Sequence, residues 1–483
     1  MHTQSVLMLL YHYPPTSAAG TFRGYRFAKF LNQLGWDPIV VTTDDESAGY
    51  PRDDSLMQWT DTEVHTEQAW IWRPLLKWRQ ERAKRKIASR HNRVNANTTS
   101  TDKSAASKPA ATQSLTSKPK QTQFVGSLLL TLRRVFESFL YFELLFPDRN
   151  GAWFITCWYR ALKTLKQQPC EIIFATSPPM STHMAATMVG WMKGIPVVLD
   201  YRDPWHCGDH PSWLRKQVQA VISKFCFRRA AGFVFNTEAA QEQFRSQYPE
   251  NNHKRMQVIT NGIDPDVIGD IAQNEKPSDN SNKVRICHPG VLWGTRNMTG
   301  AVRGVAELVQ RDFDVEFDQV GRIADQETIN LIADCGLTDR VVTVEQRIPY
   351  QAVLDKLSRS DIFLLLGNNN HQQIPSKIYD MLMFDTPILV VEADGSSRRF
   401  VEKFDLGLAV DGNDPAEFAD AVSELLSRQD HASESRKDAR QRYDYLHLTE
   451  SLSDLLKATV IGQNRPNTKP TTPSRKVAKN TSV

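Results

Sequence analysis

The 483-residue chain has little that would staple it together. Its six cysteines, Cys157, Cys170, Cys207, Cys226, Cys287 and Cys335, include no C-x-x-C pair. That argues against a disulfide scaffold or a zinc finger and for a reducing, cytoplasmic home. The opening "MHTQSVLMLLYHYPP" lacks a basic leader and a small-residue cleavage site, and its apolar run has only the length of a strand. It is expected to be a first strand rather than a signal peptide or a membrane span. Acid is scarce in one stretch: residues 73–120 hold thirteen Lys or Arg against Glu81 and Asp102, within an overall net charge of +4. The remainder is therefore net acidic, and no nucleic-acid partner is implied. No G-x-G-x-x-G and no H-E-x-x-H occurs, so neither the dinucleotide fingerprint nor the zinc-protease pair applies.

What is present is a regular alternation. "SVLMLLY" is followed by Phe27, Phe30, Leu31 and Leu34 at helical spacing, then by Gly35 and "PIVVTT", which is one βαβ unit. The alternation breaks over residues 75–123, where a basic run precedes "NANTTSTDKSAASKPAATQ". So few apolar residues cannot offset the entropy of ordering, and a disordered basic insertion is expected. Residues 124–146 are strongly apolar but carry Arg133, Arg134, Glu137 and Glu143. They read either as a core or interdomain helix or as a face lying on a membrane surface.

Strands and helices then resume through "EIIFAT", "IPVVLD", "AGFVFNT" and "MQVITNG", and after a polar stretch at 273–282 through "VRICHPG", "VEFDQVG", "VVTVEQ", "DIFLLLG" and "TPILVV". Asp414, Pro415 and Glu417 mark the start of one late helix. Two parallel sheets covered on both faces follow from this order, in an α/β chain too long for one core. The expected division is a first domain over 1–272, a second over 283–445, a last helix over 446–461 and a disordered tail over 462–483.

Ligands of open parallel sheets sit beyond the carboxyl ends of the strands. Four loops of unusual chemistry lie there. "YHYPPTSAAGTFRG" offers small residues around Gly20 that let the backbone approach a ligand, with Arg23 in the opening turn; a plain turn explains it equally. "ATSPPMSTHMAA" carries His183, either a hydrogen-bonding ligand or general acid/base, or a structural histidine. "LDYRDPWHCGDH" crowds Asp200, Arg202 and Asp203 at a strand end, suiting either an internal ion pair or recognition of substrate hydroxyls by Asp203. His206, Cys207, Asp209 and His210 in the same loop are the weaker case for a metal, since no catalytic pairing accompanies them. The fourth loop, "NNNHQQIP", leads into "SKIYDMLMF", placing Lys377 at a helix start where cation and unpaired N–H groups both favour phosphate. The equivalent "HPGVLWGTRN" adds Gly290, Gly294 and Arg296. An arginine and a lysine from separate loops suit a diphosphate.

In these residues the chain resembles a retaining glycosyltransferase of the GT-B fold, glycosyltransferase family 4. "PPTSAAGTFR", "IIFATSPPMSTHMAA", "GIPVVLDYRDPW", "VITNGID", "HPGVLWGTRN", "IPSKIYDML" and "TPILVV" occur in the family's order. "ATSPP" and "DYRDPW" resemble a bacterial subgroup that builds cell-surface polysaccharides. The resemblance implies two Rossmann-like parallel-sheet domains facing a cleft, acceptor on the first and nucleotide-sugar donor on the second, and a final helix crossing back. It assigns Arg296 and Lys377 to the diphosphate, a Gly20 backbone contact near the phosphates, and Asp380 to the ribose, whose two hydroxyls one carboxylate can hold. The chain departs from the family's usual Glu-x7-Glu by having Gln372 and Asp380, from its G-R-L by Gly290-Val291-Leu292, and from its histidine before an acid by Arg202 before Asp203.

The function implied is transfer of a sugar from a nucleotide diphosphate-sugar to a hydroxyl of a growing glycan or lipid-linked acceptor, with retention and without metal or other cofactor. It would take place in the cytoplasm or at the inner face of the plasma membrane, through peripheral contact. A scaffold or regulator of a glycan pathway that kept the fold and lost catalysis is the competing class.

Overall fold

The computed structural model describes residues 4–44, 50–61, 63–71, 148, 150–203, 213–267, 283–292, 298–344, 347–367, 373–428 and 433–463. The basic insertion, residues 124–146, the His206–His210 loop, Arg296, Gln372 and the tail from 464 lie outside the described residues.

The first lobe is a seven-stranded sheet in the order β3-β2-β1-β4-β5-β6-β7, every neighbouring pair parallel. Along the chain it runs β1 (Gln4–Leu9), α1 (Thr21–Gln33), β2 (Trp36–Thr43), β3 (His65–Ala69), α2 (Gly151–Gln167), β4 (Ile172–Ser177), α3 (Met180–Lys193), β5 (Val197–Tyr201), α4 (Trp213–Arg229), β6 (Gly232–Phe235), α5 (Glu238–Gln247) and β7 (Arg255–Val258). The second lobe has six parallel strands in the order β10-β9-β8-β11-β12-β13. Its elements are β8 (Val284–Pro289), α6 (Thr299–Gln310), β9 (Val315–Val320), α7 (Gln326–Asp334), β10 (Val341–Val344), α8 (Tyr350–Ser358), β11 (Ile362–Leu366), α9 (Lys377–Leu382), β12 (Ile388–Val391), α10 (Ser396–Lys403), β13 (Gly407–Val410), α11 (Pro415–Ser427) and α12 (Glu434–Arg442). A last helix, α13 (Tyr445–Gln463), packs on α1 of the first lobe, where the Trp36 indole N–H donates to Ser453 Oγ at 2.8 Å.

The GT-B architecture of two Rossmann-like sheets is thus present. Residues of β1 alternate between two cores: Val6 and Met8 face α1, while Leu7 and Leu9 face α2 and α3. Both faces being buried, the strand can be apolar at every position. Helix boundaries have local causes. Gly35 (φ +83°) ends α1 and Gly194 (φ +68°) ends α3, both in the left-handed region. Asp414 accepts from the Ala416 N–H at 2.9 Å to start α11. The edge strand β3, "HTEQA", was not predicted; it is polar, and only pairing with β2 makes it a strand.

Strand order reverses between β1 and β4 and again between β8 and β11. At such switch points adjacent connections leave on opposite faces and open a crevice. Described residues of the loops before α1 and α9 border the space between the lobes.

Candidate active site

On the first lobe, the Gly20 backbone at the start of α1 lies under the Arg202 guanidinium, and a Cβ at Gly20 would overlap it. Arg202 donates to Pro178 O at 3.3 Å and lies 3.9 Å from Asp203 Oδ2. His12, beyond β1, completes this corner. Burial drives its pKa down to about 3, and the charges of Arg202 and of Arg347 from the second lobe add to the effect. The ring is therefore neutral at physiological pH, and the corner's positive charge resides on the two arginines.

On the second lobe, Lys377 opens α9 and lies against Gly290, where a Cβ would sit 2.5 Å from Nζ. Gly290 has φ +147°, a conformation other residues avoid. The His288 Nδ1–H donates to Leu364 O at 2.9 Å, which leaves the Nε2 lone pair facing the Lys377 ammonium at 3.4 Å. The lysine is thus held over bare backbone at the switch point. Since α9 has only six residues, the ammonium rather than a helix dipole supplies the charge.

The lobes meet across the cleft. Ala19, Arg202, Asp203, Asn236 and Asn261 line one wall and Gln373, Ile374, Pro375 and Ser376 the other. The Gln373 amide donates to Asp203 Oδ1 at 3.2 Å, joining the walls. Deeper in, Tyr350 is packed between Phe22 and Trp59 of the first lobe. Its N–H donates to Asp53 at 2.7 Å, and its hydroxyl donates to Asp380 Oδ1 at 2.7 Å. Burial raises the Asp380 pKa above the usual carboxylate range, while the Arg26 charge and the Tyr350 hydroxyl pull it back.

Of the residues predicted from sequence, Gly20, Arg202 and Asp203 border the cleft from one lobe, and Gly290, Lys377 and Asp380 belong to the other. Two go elsewhere. Arg23 is 1% exposed and pairs with Asp200 through Nε at 2.9 Å and Nη2 at 2.7 Å. Its remaining donors reach Ile259 O, Thr260 O and Asn261 Oδ1. The guanidinium ties the loop after β7 to α1 and offers nothing to a ligand. His183 is fully buried, its Nε2–H shared between Ala175 O and Asp200 O at 3.0 Å each. Burial lowers its pKa to about 4. It clamps β4 to β5 and does not face the cleft. The start of α3 is held not by Ser181 but by Asp148, which accepts from the Ser181 N–H at 2.8 Å. Arg296 and Gln372 lie outside the described residues.

Sequence reasoning missed His12, His288, Tyr350 and Arg347. Only His288 had a signal, its place directly before "PG" at the end of a buried strand; the others acquire meaning from contacts between lobes.

Residues 130–267 match the model of Glycosyltransferase Family 4, and residues 283–428 that of Glycosyl transferases group 1. The two matches fall one on each lobe. Together with the fold they support a glycosyltransferase of the GT-B type that uses a nucleotide-sugar donor. More particularly, the structure is similar to Anabaena HepE in complex with UDP and glucose (TM-score 0.58, 14% identity, 94% of this chain and 100% of that one). It is also similar to a glycosyltransferase from Rickettsia africae ESF-5 (0.57, 13%, 95% and 99%) and to the lipopolysaccharide outer core galactosyltransferase WaaB (0.53, 11%, 94% and 99%). At these identities the likeness is one of fold. No curated protein matches by sequence at a significant level.

Proposed function

We propose that the protein is a retaining glycosyltransferase that moves a sugar from a nucleotide diphosphate-sugar to a hydroxyl of a growing cell-surface glycan, without a metal. The observation that carries this reading is Lys377, placed by His288 beside the side-chain-free Gly290 at the second lobe's switch point. As the sugar leaves, charge grows on the β-phosphate, and a cation already in place stabilises that state more than the bound donor. Arg296, from the loop after β8, is assigned as its partner. Asp380, one turn along α9, takes the ribose. Across the cleft, Gly20, Arg202 and Asp203 line the acceptor side, Asp203 being suited to orient a hydroxyl. With no base assigned, the leaving phosphate takes the acceptor proton. HepE bound to UDP and glucose and the galactosyltransferase WaaB lend the reading support at the level of fold. Similarity of "ATSPP" and "DYRDPW" to a surface-polysaccharide subgroup supports the glycan class. Among the described residues no helix is long and apolar enough to cross a membrane, so a lipid-linked acceptor would be met at a bilayer surface.

The test is a thermal-shift screen of UDP-, GDP- and ADP-sugars, followed by transfer to lipid-linked acceptors with and without chelator and by assignment of the product's anomeric configuration. One donor should raise the melting temperature, and transfer should survive chelation with retention. Saturable donor binding without transfer or hydrolysis would overturn catalysis in favour of a scaffold.

A further inference from the structure

Helices α2, α3 and α4 contain no Asp or Glu, yet they carry nine Lys or Arg, three, one and five respectively. The three pack side by side, α3 in the middle, and their inward residues share one core. Their outward surface leaves large apolar side chains in water: Ile155 (61% exposed), Tyr159 (64%), Trp191 (58%), Met192, Trp213 and Val221 (67%). Among them stand exposed Lys163, Lys166, Lys216 and Lys224. The Arg229 guanidinium covers the rings of Trp191 and Phe225 at 4.9 and 4.5 Å. Arg160 is paired with Glu67 of β3 at 3.0 Å.

Aromatic and aliphatic groups interleaved with cations and without acids match one chemistry, the headgroup layer of an anionic bilayer. Phosphates there meet the lysines, while Trp, Tyr and aliphatic side chains enter the acyl boundary. A nucleic acid would use the charge but not Ile155, Met192 or Val221. A second copy would set the exposed Lys163, Lys166, Lys216 and Lys224 against the same four lysines. Residues 124–146, with Arg133 and Arg134 against Glu137 and Glu143, bring no net charge to neutralise them. We propose that the outer face of α2, α3 and α4 docks this protein on a membrane surface rich in anionic lipid. The inference rests on that face alone and stands whether or not sugar is transferred.

The experiment is co-sedimentation of the full chain with phosphatidylcholine vesicles, with and without phosphatidylglycerol, at low and high salt. Binding should require phosphatidylglycerol and weaken with salt. The quadruple variant Lys163→Glu, Lys166→Glu, Lys216→Glu and Lys224→Glu should lose at least about a hundredfold in affinity, given the contribution of each surface cation. The variant Ile155→Ser, Tyr159→Ser and Val221→Ser should lose about tenfold and keep its salt dependence. Both should melt with the wild type, the substituted residues being exposed. Indifference of the wild-type chain to phosphatidylglycerol would overturn the proposal. So would undiminished binding by both variants, binding lost only on removal of 124–146, or self-association through this face.

Discussion

Arg23 and Lys377 each stand in the first turn of a helix that follows a strand bordering a switch point, Arg23 after β1 and Lys377 after β11. Their fates are opposite. Arg23 spends its donors on Asp200 and on the loop after β7, whereas Lys377 lies over Gly290 with an imidazole lone pair behind it. What separates them is the neighbouring strand end. Near α1, β5 carries Asp200 one residue before its end, a carboxylate that captures the guanidinium. Beside α9 stand His288 near the end of β8 and Gly290 just beyond it, one a neutral acceptor and the other without a side chain. A cation at a helix start is thus committed to the fold where a neighbouring strand presents a buried carboxylate, as Asp200 does to Arg23.

The comparison can be broken most forcefully at Arg23. Arg23→Ala strands Asp200 without its buried partner, and chemical denaturation should show a loss of about 3–5 kcal/mol; a stable variant would make the pair dispensable. Lys377→Ala should do the reverse, lowering turnover about 100-fold or more with little change in unfolding free energy. Unchanged turnover would remove Lys377 from the chemistry.

The pH dependence of the first lobe sharpens the contrast further. With a folded pKa near 4, His183 stays neutral where an exposed imidazole, at about 6.5, is already protonated. Between those values the unfolded chain binds a proton that the folded lobe refuses, so stability falls as pH drops through that window and is intact above it. His183→Gln should flatten the slope of stability against pH there by up to about 1.4 kcal/mol per pH unit. An unaltered slope would assign the acid sensitivity elsewhere.

Gly290→Ala, forced into φ +147° and against Nζ, should cost about 1–3 kcal/mol and weaken donor binding. Smallest is Tyr350→Phe, which keeps the ring between Phe22 and Trp59 but loses the bond to Asp380. About 1 kcal/mol of stability should go, and donor KM should rise with kcat nearly unchanged. Equal effects on both constants would make Tyr350 a packing residue only.

Much of the frame was legible in residue order. Apolar runs of strand length separated by helices, Gly35 and Gly194 as stops and Asp414 as a cap all act within a few positions of themselves. The two-sheet α/β architecture followed from their count and spacing, and the position of Lys377 beyond a strand followed with it. β3 was not legible because "HTEQA" has neither an apolar face nor aromatic content, and its backbone is ordered by β2. The choice between a structural and a ligand-facing role for Arg23 and His183 was open for a related reason. Their partners at Asp200, Ala175, Ile259 and Thr260 come near only once β1, β4, β5, β6 and β7 are assembled into one sheet.

By itself, then, the amino-acid order determined where the chain is strand, helix or turn, since periodicity, capping and backbone freedom operate over one or two turns. Which partner each charge meets was decided only by the tertiary structure. A carboxylate 177 positions away from Arg23 and a histidine 89 positions away from Lys377 become neighbours through sheet order, and electrostatic pairing depends on distance in space.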